Sequence, residues 1–104
     1  MNIKKVSFIG LGVMGFPMAG HLSKNNFQVT VFNRSESKSN KWINEFNGQK
    51  ADTPGAAAKN SDAIFICVGN DDDLRKVMES EDGVLNNANE NTIIVDHTTA
   101  SAEI

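Results

Sequence analysis

The chain has a single cysteine, Cys67, among its 104 residues, so no internal disulfide can staple it. Cys67 sits inside the apolar run 63–68, where it reads as a small buried hydrophobe. No apolar run approaches the roughly 18 residues that a membrane-spanning helix needs. Met1 leads straight toward a strand with no charged, apolar and small-residue succession of the secretory kind, and the expected setting is cytoplasmic. Basic charge is also scarce: ten Lys and Arg against 13 Asp and Glu leave a net charge of −3. The basic residues are scattered, which excludes the electrostatic footprint of a nucleic-acid or anionic-membrane binder. At 39% hydrophobic and 22% charged residues, the composition is that of one small globular domain rather than a disordered chain.

What is present is organised around residues 6–19, an apolar run that breaks into spaced glycines and resumes with helical periodicity. Gly10, Gly12 and Gly15 form G-x-G-x-x-G between a strand and a helix. In that context the glycines divide the mechanical work, since the first makes the turn, the second admits backbone to a pyrophosphate, and the third lets helix and strand pack closely. A phosphate there faces a helix N-terminus, where free N–H groups and the helix dipole favour negative charge.

The first strand is expected over about 4–9, buried on both faces, and the first helix over about 12–24 with Met14, Met18, Ala19 and Leu22 toward the sheet. Asn25 and Asn26 mark its end, because asparagine tolerates the left-handed conformation that closes many helices. His21 has no acidic residue or cysteine at ligand spacing, and no metal site is read anywhere. Residues 27–32 form a second strand rich in β-branched and aromatic residues. About twenty positions past the glycines, where an acidic residue would hold the ribose hydroxyls of NAD, stand Asn33, Arg34 and Ser35. A guanidinium makes charge-assisted bonds to a 2′-phosphate and stacks on adenine, so NADP is favoured, with NAD still possible. Ser35 or Ser37 could equally cap the next helix, expected over about 37–46 with Trp42, Ile43 and Phe46 as its packing face and Gly48 at its end.

A short edge strand over 49–51, a brief helix capped by Thr53 and Pro54, and an apolar strand over 62–68 follow. Asp71, Asp72 and Asp73 invite a metal reading, but loops leading into helices commonly carry Asp as caps, here for a helix over about 72–79. The fifth strand, 92–95, ends in Asp96, His97, Thr98, Thr99 and Ser101. These hydroxyls could bind a small polar substrate or cap a helix over 100–104, and His97 is a conceivable general acid whose side chain could as easily point away. The fold class is α/β: a Rossmann-type, doubly wound, mainly parallel sheet, cut off after its fifth strand.

Residues 8–19, the Asn33-Arg34-Ser35 triplet, the 68–71 segment and the 96–99 segment together resemble the β-hydroxyacid dehydrogenase family. The resemblance is to its 3-hydroxyisobutyrate dehydrogenase-like and tartronate semialdehyde or glyoxylate reductase-like members. It implies reversible hydride transfer between a nicotinamide cofactor and a short 3-hydroxy acid or its semialdehyde. Position by position, it assigns Leu11, Gly12, Val13 and Met14 to the pyrophosphate and nicotinamide side, and Asn33, Arg34 and Ser35 to the adenosine phosphate. Val68, Gly69 and Asp73 flank the cofactor, Thr98 and Thr99 take the substrate, and Thr99 also touches the cofactor. Val68-Gly69 stands where many members have Leu-Pro, and Ala102 where many have Pro, which leaves the substrate open. The family's catalytic lysine and its all-helical, dimer-forming domain lie beyond residue 104. The resemblance therefore implies the N-terminal, NAD(P)-binding part, residues 1–104, of a homo-oligomeric enzyme, with no catalytic residue in this chain. The alternative is a stand-alone dinucleotide-binding or interaction module without chemistry.

Overall fold

The computed structural model describes residues 4–12, 14–59, 61–67, 71–79, 83–88 and 92–96. Five strands form one sheet: β1 (Lys5–Ile9), β2 (Gln28–Phe32), β3 (Gln49–Lys50), β4 (Ala63–Ile66) and β5 (Ile93–Asp96). Their order is β3-β2-β1-β4-β5 and every pairing is parallel. Parallel neighbours need crossover connections, and helices supply them: α1 (Gly15–Lys24), α2 (Glu36–Glu45), α3 (Pro54–Ala58), α4 (Asp71–Glu79) and α5 (Val84–Asn87).

β1 is central, with Val6 opposite Val29 on one side and Ala63 on the other. A strand covered on both faces has no solvent side to offer, which is why Val6, Phe8 and Ile9 do not alternate cleanly with polar residues and residues 6–9 are all buried. Val6 and Phe8 point into one core layer with Ala19 of α1 and Trp42 of α2. Ile9, Ile64 and Ile66 point into the other, with Ala57 of α3, Val77 of α4 and Val84 of α5. Phe8 stacks on Phe65 at 5.8 Å between ring centres. Each large side chain buried this way contributes roughly 1.5–3 kcal/mol. Ser7 is the polar exception in β1: it donates to the Ala57 carbonyl and shares a hydrogen bond with Ser61, so its hydroxyl is satisfied inside the core.

The sequence expectation for α1 needs one correction. The helix begins at Gly15, not Gly12, although the Phe16 N–H still reaches back 3.0 Å to the Gly12 carbonyl. Met14 consequently occupies the N-cap position, where its side chain is 59% exposed instead of facing the sheet. Met18 and Leu22 are half-buried against the core and Ala19 is fully buried, as expected. At the other end Asn26 takes φ 72°, the left-handed closure anticipated for it.

α2 starts one residue early, at Glu36, and stops at Glu45 because Phe46 turns to extended backbone and packs its ring on Trp42. Gly48 is therefore not the residue that ends it. A Cβ on Gly48 would lie 2.5 Å from the Trp42 ring, so the glycine makes room for the tryptophan. Thr53 caps α3 as expected, its Oγ1 accepting the Ala56 N–H at 3.0 Å. Asp62 lies just outside β4, where one carboxylate oxygen accepts the N–H groups of both Lys4 and Lys5 at 3.0 Å and holds the entry to β1. The one-turn helix α5 was not anticipated.

Candidate functional site: the glycine turn and its brace

The sheet order reverses direction between β1 and β4, and ligands of open α/β sheets bind in the crevice outside the carboxyl ends of the strands at such a point. The glycine turn occupies it. At the end of β1 the Gly10 N–H donates to the Phe32 carbonyl at 2.8 Å, and the Cys67 N–H donates to the Ile9 carbonyl at 2.8 Å, so the turn leaves from a point fixed on both sides.

The three glycines are distinguishable by what surrounds them. Gly10 has φ 99°, a conformation that L side chains rarely adopt, and makes the turn. Gly15 is buried, and a Cβ on it would stand 2.1 Å from the Gly10 carbonyl oxygen and 3.1 Å from the Phe8 ring, so it permits the close packing of helix on strand. Gly12 has neither reason: its φ lies outside the left-handed region, and a Cβ there would meet nothing within 4 Å. The space in front of Gly12 is open toward the rim, in the position where a pyrophosphate would approach. The start of α1 has no acidic residue in its first turn and no side-chain cap, while His21 and Lys24 stand in its last turn. The acid-free, uncapped first turn favours an anion at the N-terminal end. The residues present fit a dinucleotide.

The loop after β2 lies beside this turn and is tied to it through Asn33. The Leu11 N–H donates to Asn33 Oδ1 at 2.8 Å, and Asn33 Nδ2 donates to the Ser35 carbonyl at 3.0 Å. The two bonds define the amide orientation, since a flipped Asn33 would set N–H against N–H and oxygen against oxygen. Arg34 is exposed. Ser35 takes the N-cap position of α2 without a side-chain cap bond, and its hydroxyl shares a hydrogen bond with that of Ser37 at 2.9 Å.

One element of this neighbourhood escaped the sequence reading. Glu36, two residues past Arg34, pairs with Lys50 Nζ of β3 at 3.0 Å, and the same ammonium donates to Asn40 Oδ1 at 2.6 Å. Glu36 is thus held by a cation from β3. Only the sheet, which sets β3 alongside β2, brings Lys50 there.

Among the residues singled out from sequence, Gly10, Leu11, Gly12, Met14, Gly15, Asn33, Arg34 and Ser35 come together on this rim. Asp73 lies in the first turn of α4. Val13, Val68, Gly69, His97, Thr98, Thr99 and Ser101 lie outside the described residues. Among the described residues no group of His, Cys, Asp or Glu is placed to hold a metal, and no helix is long and apolar enough to cross a membrane. A cavity of about 590 Å³ opens near Gln28, Thr30 and Gln49, but these stand toward the amino ends of the strands, away from the glycine turn.

Comparison with known proteins agrees with this geometry. An uncharacterized oxidoreductase of Shewanella frigidimarina is 56% identical over 100 residues, which cover 96% of this chain and 34% of that protein. A probable 3-hydroxyisobutyrate dehydrogenase-like protein of Arabidopsis thaliana, described as mitochondrial, is 39% identical over 101 residues, covering 96% of this chain and 30% of that one. The chain thus spans about a third of the length of these relatives. Among solved structures, the imine reductase of Myxococcus stipitatus in complex with NADP+ superposes with a TM-score of 0.81 at 25% identity, over 96% of this chain and 33% of that one. The profile of the NAD binding domain of 6-phosphogluconate dehydrogenase matches residues 5–104, the glycine turn included, and the chain belongs to that family.

Proposed function

We propose that residues 1–104 form the cofactor-binding portion of an NADP(H)-dependent oxidoreductase that moves a hydride between nicotinamide and a short 3-hydroxy acid or its semialdehyde. The observation that carries the cofactor part is the open space at Gly12 next to a loop bearing Arg34 and Ser35. A pyrophosphate takes the place in front of Gly12 and the N-terminus of α1. Arg34 and Ser35 then lie toward the adenosine ribose, where a guanidinium and a hydroxyl complement a 2′-phosphate and an acidic residue would repel it. By the family resemblance, Val13, Met14, Val68, Gly69, Asp73 and Thr99 are assigned to the remainder of the cofactor, and Thr98 and Thr99 to the substrate. The named relatives support the oxidoreductase class, and the 3-hydroxyisobutyrate dehydrogenase-like one favours a hydroxy acid. The imine reductase at 25% identity is the reason to include imines among the assayed substrates.

Fluorescence titration of the purified protein with NADPH and NADH tests the reading. Saturable binding of both, tighter for NADPH, is expected. No binding of either overturns it.

A further inference from the structure

The geometry points to Asn33 as a positioning residue that couples the two halves of the dinucleotide site, holding the glycine turn and the 34–35 loop at a fixed spacing without itself binding the 2′-phosphate. Its side chain lies between the two: Oδ1 accepts from Leu11, inside the glycine motif, and Nδ2 donates to the carbonyl of Ser35, on the far side of Arg34. Leu11 is 1% exposed, so its N–H has poor access to water and depends on this acceptor. The bond to Ser35 closes the backbone of residues 33–35 into a short loop. The Gly10 N–H bond to Phe32 anchors the same two segments one residue earlier, so Asn33 extends the β1–β2 ladder past the last strand residue by means of a side chain. Since Oδ1 and one amide hydrogen are engaged with backbone, the residue acts on the cofactor through the turn and the loop it joins.

This inference rests on the dinucleotide reading for its cofactor arm only, and a ligand role for Asn33 makes a different prediction. Asn33→Ala should weaken NADPH and NADH by the same factor, about tenfold for the loss of two neutral hydrogen bonds, leaving the ratio of the two affinities unchanged. A loss confined to NADPH would make Asn33 a phosphate ligand and overturn the inference, as would no loss for either. Amide hydrogen exchange at Leu11, measured without cofactor, reads the brace independently. Protection present in the parent protein should disappear in Asn33→Ala, and unchanged protection would also overturn it. If the parent protein binds neither nucleotide, the functional reading fails while the exchange result still decides the brace. Should the alanine variant not fold, Asn33→Asp keeps an acceptor for Leu11 but turns an oxygen toward the Ser35 carbonyl. Retained Leu11 protection in that variant is the expected result, and its loss would count against the brace.

Discussion

A Cβ on Gly15 would stand 2.1 Å from the carbonyl oxygen of Gly10, whereas a Cβ on Gly12 would meet nothing within 4 Å. Glycines of one motif therefore answer to different demands, one from inside the fold and one from outside it. Gly15→Ala sets a methyl against backbone that cannot rotate away, and should destabilise by about 1–3 kcal/mol or more. That corresponds to a fall in Tm of at least several degrees for a domain of this size. Gly12→Ala should leave Tm unchanged or slightly raised, because it restricts only the unfolded chain, yet weaken NADPH binding by obstructing the pyrophosphate. Differential scanning calorimetry with a parallel titration separates the two. Loss of stability in the Gly12 variant would show that the open space is not there.

Arg34→Ala should reduce NADPH affinity by roughly tenfold to a hundredfold, the cost of a lost charge-assisted hydrogen bond of about 1.5–3 kcal/mol. NADH, which has no 2′-phosphate, should lose far less. Both affinities are read in one fluorescence titration series, and equal losses would remove Arg34 from the phosphate site.

Asp62 provides a stability prediction that is independent of any ligand. Backbone N–H bonds from Lys5 and Lys4 hold its carboxyl below the ordinary value of 3.8, with the nearby Lys5 and Lys4 charges acting in the same direction. A carboxyl whose pKa is lowered by folding contributes stability that is fully present above 3.8 and fades as pH falls through its lower folded value. Asp62→Asn should therefore melt at a lower temperature than the parent protein at neutral pH. The difference should shrink as pH falls below 3.8, where the unfolded chain takes up the proton, and reach its minimum once pH passes the carboxyl's lower folded value. A gap in Tm that stays constant across this range would mean that the carboxylate charge is not what holds the start of β1.

The central parts of this architecture are local in origin, which is why the sequence discloses them. The mainly apolar run of β1, the positive φ at Gly10 and Asn26, and the Thr53 cap each depend on residues within a few positions of one another. What escaped has long-range causes. Asn33 binds Leu11 across 22 positions and Asp62 binds Lys5 across 57, and nothing near either residue announces its partner. Met14 reads as part of an apolar helical stripe, yet the turn at Gly10 delays the helix and leaves that side chain exposed. The helix over Val84–Asn87 is too short to show a periodicity. It exists because Val84 completes the core layer beneath Ile64 and Ile66.

A final expectation is that the 104 residues bind cofactor without turning over any hydroxy acid. Hydride delivery to a carbonyl leaves a developing alkoxide, which needs a proton donor within about 3 Å. The chain contains no tyrosine. The glycine turn and the loop after β2 offer Leu11, Met14, Asn33, Arg34 and Ser35, none of them a suitable acid at neutral pH. Lys38 lies in the first turns of α2, beside the adenosine-side loop, and Lys76 is exposed on α4. Thr98 and Thr99 are proposed to orient a substrate, but a hydroxyl with its high pKa is a poor proton donor without a relay such as an imidazole. In the resemblance drawn from sequence, a lysine beyond residue 104 supplies the proton. Spectrophotometric assay with NADPH and glyoxylate, succinic semialdehyde, methylmalonate semialdehyde, tartronate semialdehyde or a cyclic imine should show no cofactor oxidation above background. Turnover that vanishes in His97→Ala would reverse the assignment and make His97 the acid.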